Sequence, residues 1–160
     1  MNNKIILEKR KNIKQIEESV SFAPKFDRDG LIPVVTTDYK TGEVLMQGFM
    51  NEEALKLTIE KSEVIYYSRS RNRLWHKGKI SGFIQKVKEM LIDDDQDCIW
   101  VKVIVDGGAS CHVGYRSCFY RSIPFGKELE KKSKLDLKFT EKEKVFDPDE
   151  IYKNETNPTK

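Results

Sequence analysis

Apolar and polar residues alternate along several short stretches of this chain, which is the pattern of β-strands with one buried face. The clearest stretch is 99–105, where four β-branched residues alternate with Trp100, Lys102 and Ile104. The same reasoning predicts strands at 31–37, 43–50, 64–67 and 84–92, with one more at 118–123. A turn signal at 39–42 joins the first two strands into a hairpin.

Two segments carry helical signals instead. Asn51 is a suitable N-cap, and two glutamates follow it in the first turn, where acidic side chains favour the helix dipole. We predict a helix from there to about residue 61, and a short amphipathic helix before Pro24. The second prediction rests on apolar residues at loosely helical spacing: Ile6, Ile13, Ile16 and Val20. The order of elements predicts an α+β fold, a mostly antiparallel sheet with a few flanking helices.

Composition limits the classes of partner. The 160 residues carry 29 basic and 26 acidic side chains, a net charge of +3, which argues against nucleic acid or a membrane surface as partner. No apolar run approaches the length of a membrane span. The three cysteines are too few and unevenly placed for a disulfide framework. They suit a metal site or a reactive thiol in a reducing cytoplasm.

A carboxylate-dense turn follows the predicted strand 84–92. Asp93, Asp95 and Asp97 alternate, so in an extended segment their side chains converge on one hard cation such as Mg²⁺. A solvated acidic loop has the same composition. An EF-hand is excluded, because that motif needs Gly and Glu where this chain has Cys98 and Ile104.

Two cysteines follow the strand at 99–105. Cys111 and Cys118 lie in a polar, glycine-containing setting, which favours zinc ligation over burial as small apolar side chains. His112 is positioned in sequence to act as a base or proton shuttle. Hard oxygen ligands and soft thiolates lie a dozen residues apart, so we predict two metal sites in one active centre.

Residues 68–82 are rich in arginine, lysine and serine, and we predict a functional loop there. Arginine forks and serine hydroxyls bind phosphate oxygens, and an indole stacks on a base. A solvated basic loop and a platform for single-stranded nucleic acid are the competing interpretations. The candidate substrate-binding residues are Ser68, Arg69, Ser70, Arg71, Trp75, Lys77, Gly78 and Ser81.

Ordered motifs over residues 26–122 carry a family resemblance. They include Gly42-Glu43-Val44-Leu45-Met46, Met50-Asn51-Glu52-Glu53-Ala54-Leu55, Tyr67-Ser68-Arg69-Ser70-Arg71, Leu74-Trp75-His76-Lys77-Gly78, Gln85-Lys86-Val87-Lys88-Glu89, and Cys111-His112 through Cys118-Phe119-Tyr120. The chain resembles the phosphoribosyl-AMP cyclohydrolases of histidine biosynthesis, in the form without a fused pyrophosphohydrolase domain.

The resemblance implies a function and a site. It implies hydrolytic opening of the adenine ring at the N1–C6 bond of phosphoribosyl-AMP, by a water that zinc activates, in a cytoplasmic homodimer with active sites at the subunit interface. It implies Mg²⁺ at Asp93, Asp95 and Asp97, and Zn²⁺ at Cys111 and Cys118. His112 is then the residue that moves the proton, and the 68–82 loop holds phosphate and ribose.

The chain departs from the family at one position. The family usually places a third zinc cysteine between the first two aspartates, where this chain has Asp94. Either Asp94 ligates zinc through oxygen or Cys98 replaces the missing cysteine; matching position favours Asp94.

The alternative to an enzyme is a catalytically inactive relative that binds metal and nucleotide. We expect an N-terminal helical extension (1–25), a cyclohydrolase domain (26–126) and a charged C-terminal extension (127–160).

Overall fold

The computed structural model describes residues 4–129 and 134–153. The fold is α+β, as predicted. The helices are α1 Ile13–Glu18, α2 Glu52–Lys61 and α3 Pro148–Ile151. The strands are β1 Ile32–Asp38, β2 Val44–Met50, β3 Ile65–Ser68, β4 Arg73–His76, β5 Gln85–Ile92, β6 Ile99–Val105, β7 Arg121–Ser122 and β8 Lys138–Phe139.

The central sheet has four strands in the order β2-β1-β6-β5. Strands β1 and β2 form the predicted hairpin, and β5 and β6 form a second antiparallel pair around the acidic turn. The two pairs meet through β1 and β6, which run parallel, with Val34 opposite Ile99 and Asp38 opposite Val103. The sheet is therefore mostly antiparallel, with one parallel contact at its centre.

The hydrophobic core lies between one face of this sheet and the layer formed by α2 and β3. Strand β6 has the predicted alternation: Ile99, Val101 and Val103 are at most 2% exposed, whereas Trp100 is 42% exposed. The core also contains Ile32, Val34, Leu45, Met46, Met50, Ala54, Leu55, Val64, Ile65 and Tyr66. Helix α2 begins as predicted, with Asn51 Oδ1 accepting from the N–H of Ala54 at 2.8 Å.

The N-terminal helix differs from its prediction as an amphipathic element. Helix α1 covers only six residues and buries none of them, and the apolar Ile13 and Val20 are exposed. The segment is held by the buried side chain of Gln96 instead. Gln96 Nε2 donates to the carbonyl oxygens of Ile16 at 2.9 Å and Ser21 at 3.0 Å. Hydrogen bonds, and not an apolar face, attach this segment to the acidic turn.

The predicted functional loop at 68–82 is partly regular structure. Strands β3 and β4 form a hairpin that pairs Ser68 with Arg73 and Ile65 with His76. Its turn is tight because Asn72 adopts a left-handed conformation with a φ of 51°. The hairpin gives this basic segment a fixed backbone.

The C-terminal segment 134–153 packs back onto the segment that carries the cysteines. The N–H of Val145 donates to the carbonyl oxygen of Gly114 at 2.7 Å, and the ring of Phe146 lies 4.8 Å from that of Phe83. Of the charged C-terminal extension that we predicted at 127–160, residues 130–133 and 154–160 lie outside the described residues. None of the helices in the described ranges has the length and apolar character that crossing a membrane requires.

Candidate active site

The acidic turn between β5 and β6 brings three carboxylates together. One oxygen each from Asp93, Asp95 and Asp97 lie within 4.8 Å of one another. They converge through a turn, and not through the extended segment that we predicted, because Gln96 is left-handed with a φ of 58°. The Asp93 carboxylate accepts from the N–H groups of Asp97 at 2.9 Å and Cys98 at 3.0 Å. This oxygen cluster has the chemistry of a hard divalent cation site.

Mutual repulsion is visible at Asp97. Hydrogen bonding with Asp93, together with the negative charges of Asp93 and Asp95, raises the pKa of the Asp97 carboxyl above its usual range. A cation bound between the three groups would relieve this repulsion. The charge state of the turn is therefore coupled to metal binding.

The two cysteines predicted as zinc ligands lie side by side. Hydrogen bonding from the Cys118 thiol lowers the pKa of Cys111 to about 6, and the same contact raises the pKa of Cys118. The N–H of Val113 also points at the Cys111 sulfur, at 3.4 Å. At neutral pH the pair therefore shares one proton between two sulfurs. The N–H of Cys118 donates to the carbonyl oxygen of Leu45 at 2.7 Å, which anchors the pair to β2.

Lys77 lies close to this thiol pair. Its side chain is 3% exposed, and its Nζ donates to the carbonyl oxygen of Ser110 at 2.5 Å. Burial lowers the pKa of Lys77 to about 8, against the opposing influence of Cys118 and Cys111. We predicted Lys77 as a substrate ligand, but its ammonium group is directed at the backbone beside Cys111.

A chain of buried hydrogen bonds leads from the core to the same point. The Tyr66 hydroxyl lies 2.6 Å from Thr36 Oγ1 and donates to Gln85 Oε1 at 2.7 Å. Gln85 Nε2 in turn donates to Ser110 Oγ at 3.1 Å. All four side chains are at most 1% exposed. The residue that precedes Cys111 is thus fixed from the sheet on one side and by Lys77 on the other.

A cavity of about 710 Å³, called here the large cavity, is bordered by His112 and Val113, the two residues that follow Cys111. One wall comes from β4 and the segment after it, and the other from His112 and the C-terminal segment. The predicted substrate residues that line it are Arg71, Trp75, Lys77, Gly78 and Ser81, and His112 lines it as well. The predicted proton-transfer residue and most of the predicted substrate residues therefore face one space.

The remaining predicted substrate residues face a second space of about 320 Å³, the small cavity. Ser68, Arg69 and Ser70 line it, and Arg71 and Trp75 lie between the two cavities. The guanidinium of Arg69 lies 4.1 Å from the ring centre of Phe49, whereas that of Arg71 lies 5.6 Å from that of Trp75. The basic segment thus presents arginine to both spaces.

The carboxylates and the thiols lie at opposite ends of β6 in the single chain. Ile92 pairs with Ile99 beside the acidic turn, and Gln85 pairs with Val105 at the other end of β6. Seven residues of strand span roughly 20 Å. Among the described residues, no third His, Cys, Asp or Glu forms a metal-binding group with Cys111 and Cys118. A single chain therefore does not unite the two metal sites that we predicted as one centre, and neither Asp94 nor Cys98 reaches the thiol pair.

Two contributions to the site were not identified from the sequence. Gln85 and Ser110 fix the cysteine segment, although the only signal was an uncharged polar residue at the start of a predicted strand. Asp149 and Tyr152 line the large cavity from the C-terminal segment, which carries no motif that we recognised.

Comparison with known proteins gives a consistent family. A family model described as phosphoribosyl-AMP cyclohydrolase matches residues 46–120. A protein of that name from Rhodopseudomonas palustris is 55% identical over 137 residues, which are 86% of this chain and 88% of that protein. Proteins of the same name from Nitrobacter winogradskyi and Bradyrhizobium diazoefficiens are 48% and 50% identical, over 89% and 87% of this chain and 95% of each relative.

Proposed function

This chain belongs to the phosphoribosyl-AMP cyclohydrolase family, and we propose that it hydrolyses the N1–C6 bond of the adenine ring in phosphoribosyl-AMP, in histidine biosynthesis. One observation carries the proposal: the large cavity is lined both by His112, which directly follows Cys111, and by basic residues of the 68–82 segment, among them Lys77, whose charge acts on the thiol pair. The cavity volume of about 710 Å³ is within the range of pockets that hold nucleotide-sized ligands.

The thiol pair fits zinc. Two adjacent sulfurs, one of them held as a thiolate at neutral pH, are a soft donor set. Cys111 and Cys118 would hold the zinc, which would act as a Lewis acid and lower the pKa of a bound water toward neutrality. The buried ammonium of Lys77 offsets negative charge on the sulfurs, and the Ser110 contacts fix the segment that carries Cys111.

The acidic turn fits magnesium. Its three carboxylates offer oxygen ligands close together, and the half-exposed setting leaves room for water in the rest of the coordination sphere. Bound Mg²⁺ would neutralise the turn and attract a phosphate group of the substrate. Arg69, Arg71 and the serines beside them are the chain's own phosphate ligands in this proposal.

His112 is the proposed proton carrier. It lines the large cavity and directly follows Cys111 in sequence, which makes it the histidine that we assign to a water reacting near the thiol pair. Addition of this water to C6 and cleavage of the C6–N1 bond turn the water oxygen into a carboxamide oxygen, so both of its protons leave it, one for the exocyclic nitrogen and one for N1. An imidazole has one nitrogen that can accept a proton and one that can donate it, which is the chemistry these transfers need.

We further propose that the active unit is a homodimer. The separation along β6 leaves the thiol pair of one chain without the carboxylate turn, and a second copy can supply that turn. Exposed apolar side chains near the cysteines, including Phe119, Ile123 and Phe125, are 59–78% exposed in the single chain and provide surface for such contact. Asp94 or Cys98 of the second copy would then complete the zinc ligands.

The test is turnover of phosphoribosyl-AMP together with zinc content, for wild type, Asp94→Ala and Cys98→Ser, with Mg²⁺ present. We expect ring opening by wild type with about one zinc per chain. The variant that lacks the true third ligand should lose both its zinc and its activity. The other variant should keep both. Wild type that retains zinc but never opens the ring would favour the inactive, metal- and nucleotide-binding alternative.

A further inference from the structure

The C-terminal segment forms part of the large cavity, although it lies beyond the residues that the family model matches. Pro148, Asp149 and Tyr152 line the cavity opposite the basic wall. Pro148 and Asp149 belong to α3, and Tyr152 directly follows it. The helix is capped by Asp147, whose Oδ1 accepts from the N–H of Asp149 at 2.9 Å. A short capped helix thus presents one carboxylate and one phenol to the space beside His112.

Several contacts fix this segment in place. The ring of Phe146 packs against Phe83 at 4.8 Å and against Tyr152 at 6.0 Å. The N–H of Val145 donates to Gly114 at 2.7 Å, so the segment is bonded directly to the loop between the two cysteines. Fixed contacts on both sides of the cavity keep Asp149 on its rim.

Charge distinguishes the two walls. The opposite wall carries Arg71, Arg73 and Lys79, whereas Asp149 is the one carboxylate among the described residues that line the cavity. A carboxylate repels phosphate and only accepts hydrogen bonds, so its partner on a nucleotide must be a donor. Vicinal ribose hydroxyls are such donors, and carboxylates bind them in other nucleotide sites.

We propose that Asp149 binds a ribose hydroxyl pair of the substrate, with Tyr152 and Phe146 fixing its position. The C-terminal segment is then a specificity wall for ribose, across the cavity from the phosphate-binding residues. The inference rests on the proposed function, since it assigns part of the same substrate to this wall.

The experiment compares Asp149→Asn with Glu150→Gln in the full-length protein. Both changes replace an exposed carboxylate of α3 by its amide, but only Asp149 lines the cavity. Turnover of phosphoribosyl-AMP is measured for each, and calorimetry gives the affinity for AMP and for 2′,3′-dideoxy-AMP. Wild type and Glu150→Gln should bind AMP about tenfold more tightly than 2′,3′-dideoxy-AMP, because one hydrogen bond to a charged group contributes a free energy of that size. Asp149→Asn should lose this preference and raise KM about tenfold, with kcat changed less than about twofold.

The outcomes separate the two proposals. Wild type that turns over but binds both nucleotides equally, or Asp149→Asn that behaves like Glu150→Gln, overturns the ribose assignment and leaves the proposed function intact. Wild type without turnover overturns the proposed function, and the assignment of its substrate falls with it.

Discussion

The ammonium nitrogen of Lys77 lies 2.5 Å from the carbonyl oxygen of Ser110, directly before Cys111 in the chain. This contact places a buried positive charge beside two sulfurs and attaches the 68–82 segment to the cysteine segment. From sequence we predicted this lysine as a substrate-binding residue, and the structure adds its contact with the cysteine segment. The residue acts on the thiol pair while its side chain also bounds the large cavity.

Removal of this charge should make the thiol pair more basic. In metal-free protein carrying Cys98→Ser, the pH profile of thiol alkylation should have its first midpoint near the Cys111 pKa of about 6. Lys77→Met should move that midpoint to higher pH, because the lysine lowers the Cys111 pKa, and should weaken zinc binding about tenfold. Lys79→Met removes an exposed cation from the same cavity and serves as the control. Equal profiles for the two variants would contradict the assignment.

The buried hydrogen-bond chain should contribute measurably to stability. Tyr66→Phe removes the hydroxyl that bonds Gln85 Oε1 and Thr36 Oγ1 in the core, which should cost about 1–3 kcal/mol in the free energy of unfolding. Tyr67→Phe removes an exposed hydroxyl that bonds Asn72, and it should cost less than about 0.5 kcal/mol. Urea denaturation of both variants checks the difference. A loss of the same size in both would argue against a role for the buried chain.

Docking of the C-terminal segment depends on Gly114. An added methyl group there would lie 2.4 Å from the carbonyl oxygen of Phe146, so Gly114→Ala should displace the segment and cost about 1–3 kcal/mol beyond backbone strain. Gly108→Ala is the matched control, since Gly108 also has a positive φ but faces open space. Trypsin should cut within 134–153 faster in Gly114→Ala than in Gly108→Ala. Similar cleavage rates would indicate that the close contact is not what holds the segment.

Magnesium should stabilise the protein in a pH-dependent way. Because the folded-state pKa of Asp97 is raised, its ionisation weakens the fold as pH rises through the carboxyl range, and a bound cation removes that effect. Millimolar Mg²⁺ should therefore raise the Tm at pH 7 but have little effect near pH 4. Asp97→Asn should abolish most of this rise in Tm. Asp136→Asn, which changes an exposed carboxylate outside the turn, should retain it. A gain of equal size at both pH values would exclude the carboxylate turn as its source.

The local elements were predictable because their causes are local. The alternation at 99–105 reflects burial of one face of β6, and Asn51 caps α2 with its own side chain. The partner and direction of each strand were not predictable, since the pattern of β1 does not encode its parallel pairing with β6. Burial of Lys77 was also missed, because lysine is rarely buried and its partner at Ser110 is 33 residues away.

In the candidate site, too, some features could be predicted from local sequence and others depend on long-range contacts. Motif residues such as Arg71 and His112 do face a common cavity, which the sequence order alone suggested. The separation of the carboxylates from the thiols depends on the length and pairing of β6, which only the assembled sheet determines. Asp149 escaped notice because its proximity to the cavity depends on contacts of Phe146 and Val145 and not on a motif.

The parallel contact between β1 and β6 also sets the order in which the sheet is completed during synthesis. Both strands of the β1–β2 hairpin have been synthesised by residue 50. The other edge of β1 stays unpaired until β6 has left the ribosome, and β6 begins 49 residues after the end of β2. Pairing partners that are distant in sequence close slowly. Emergence of β6 from the ribosome is therefore the event that completes the native sheet, and until then one edge of β1 presents unpaired backbone N–H and C=O groups.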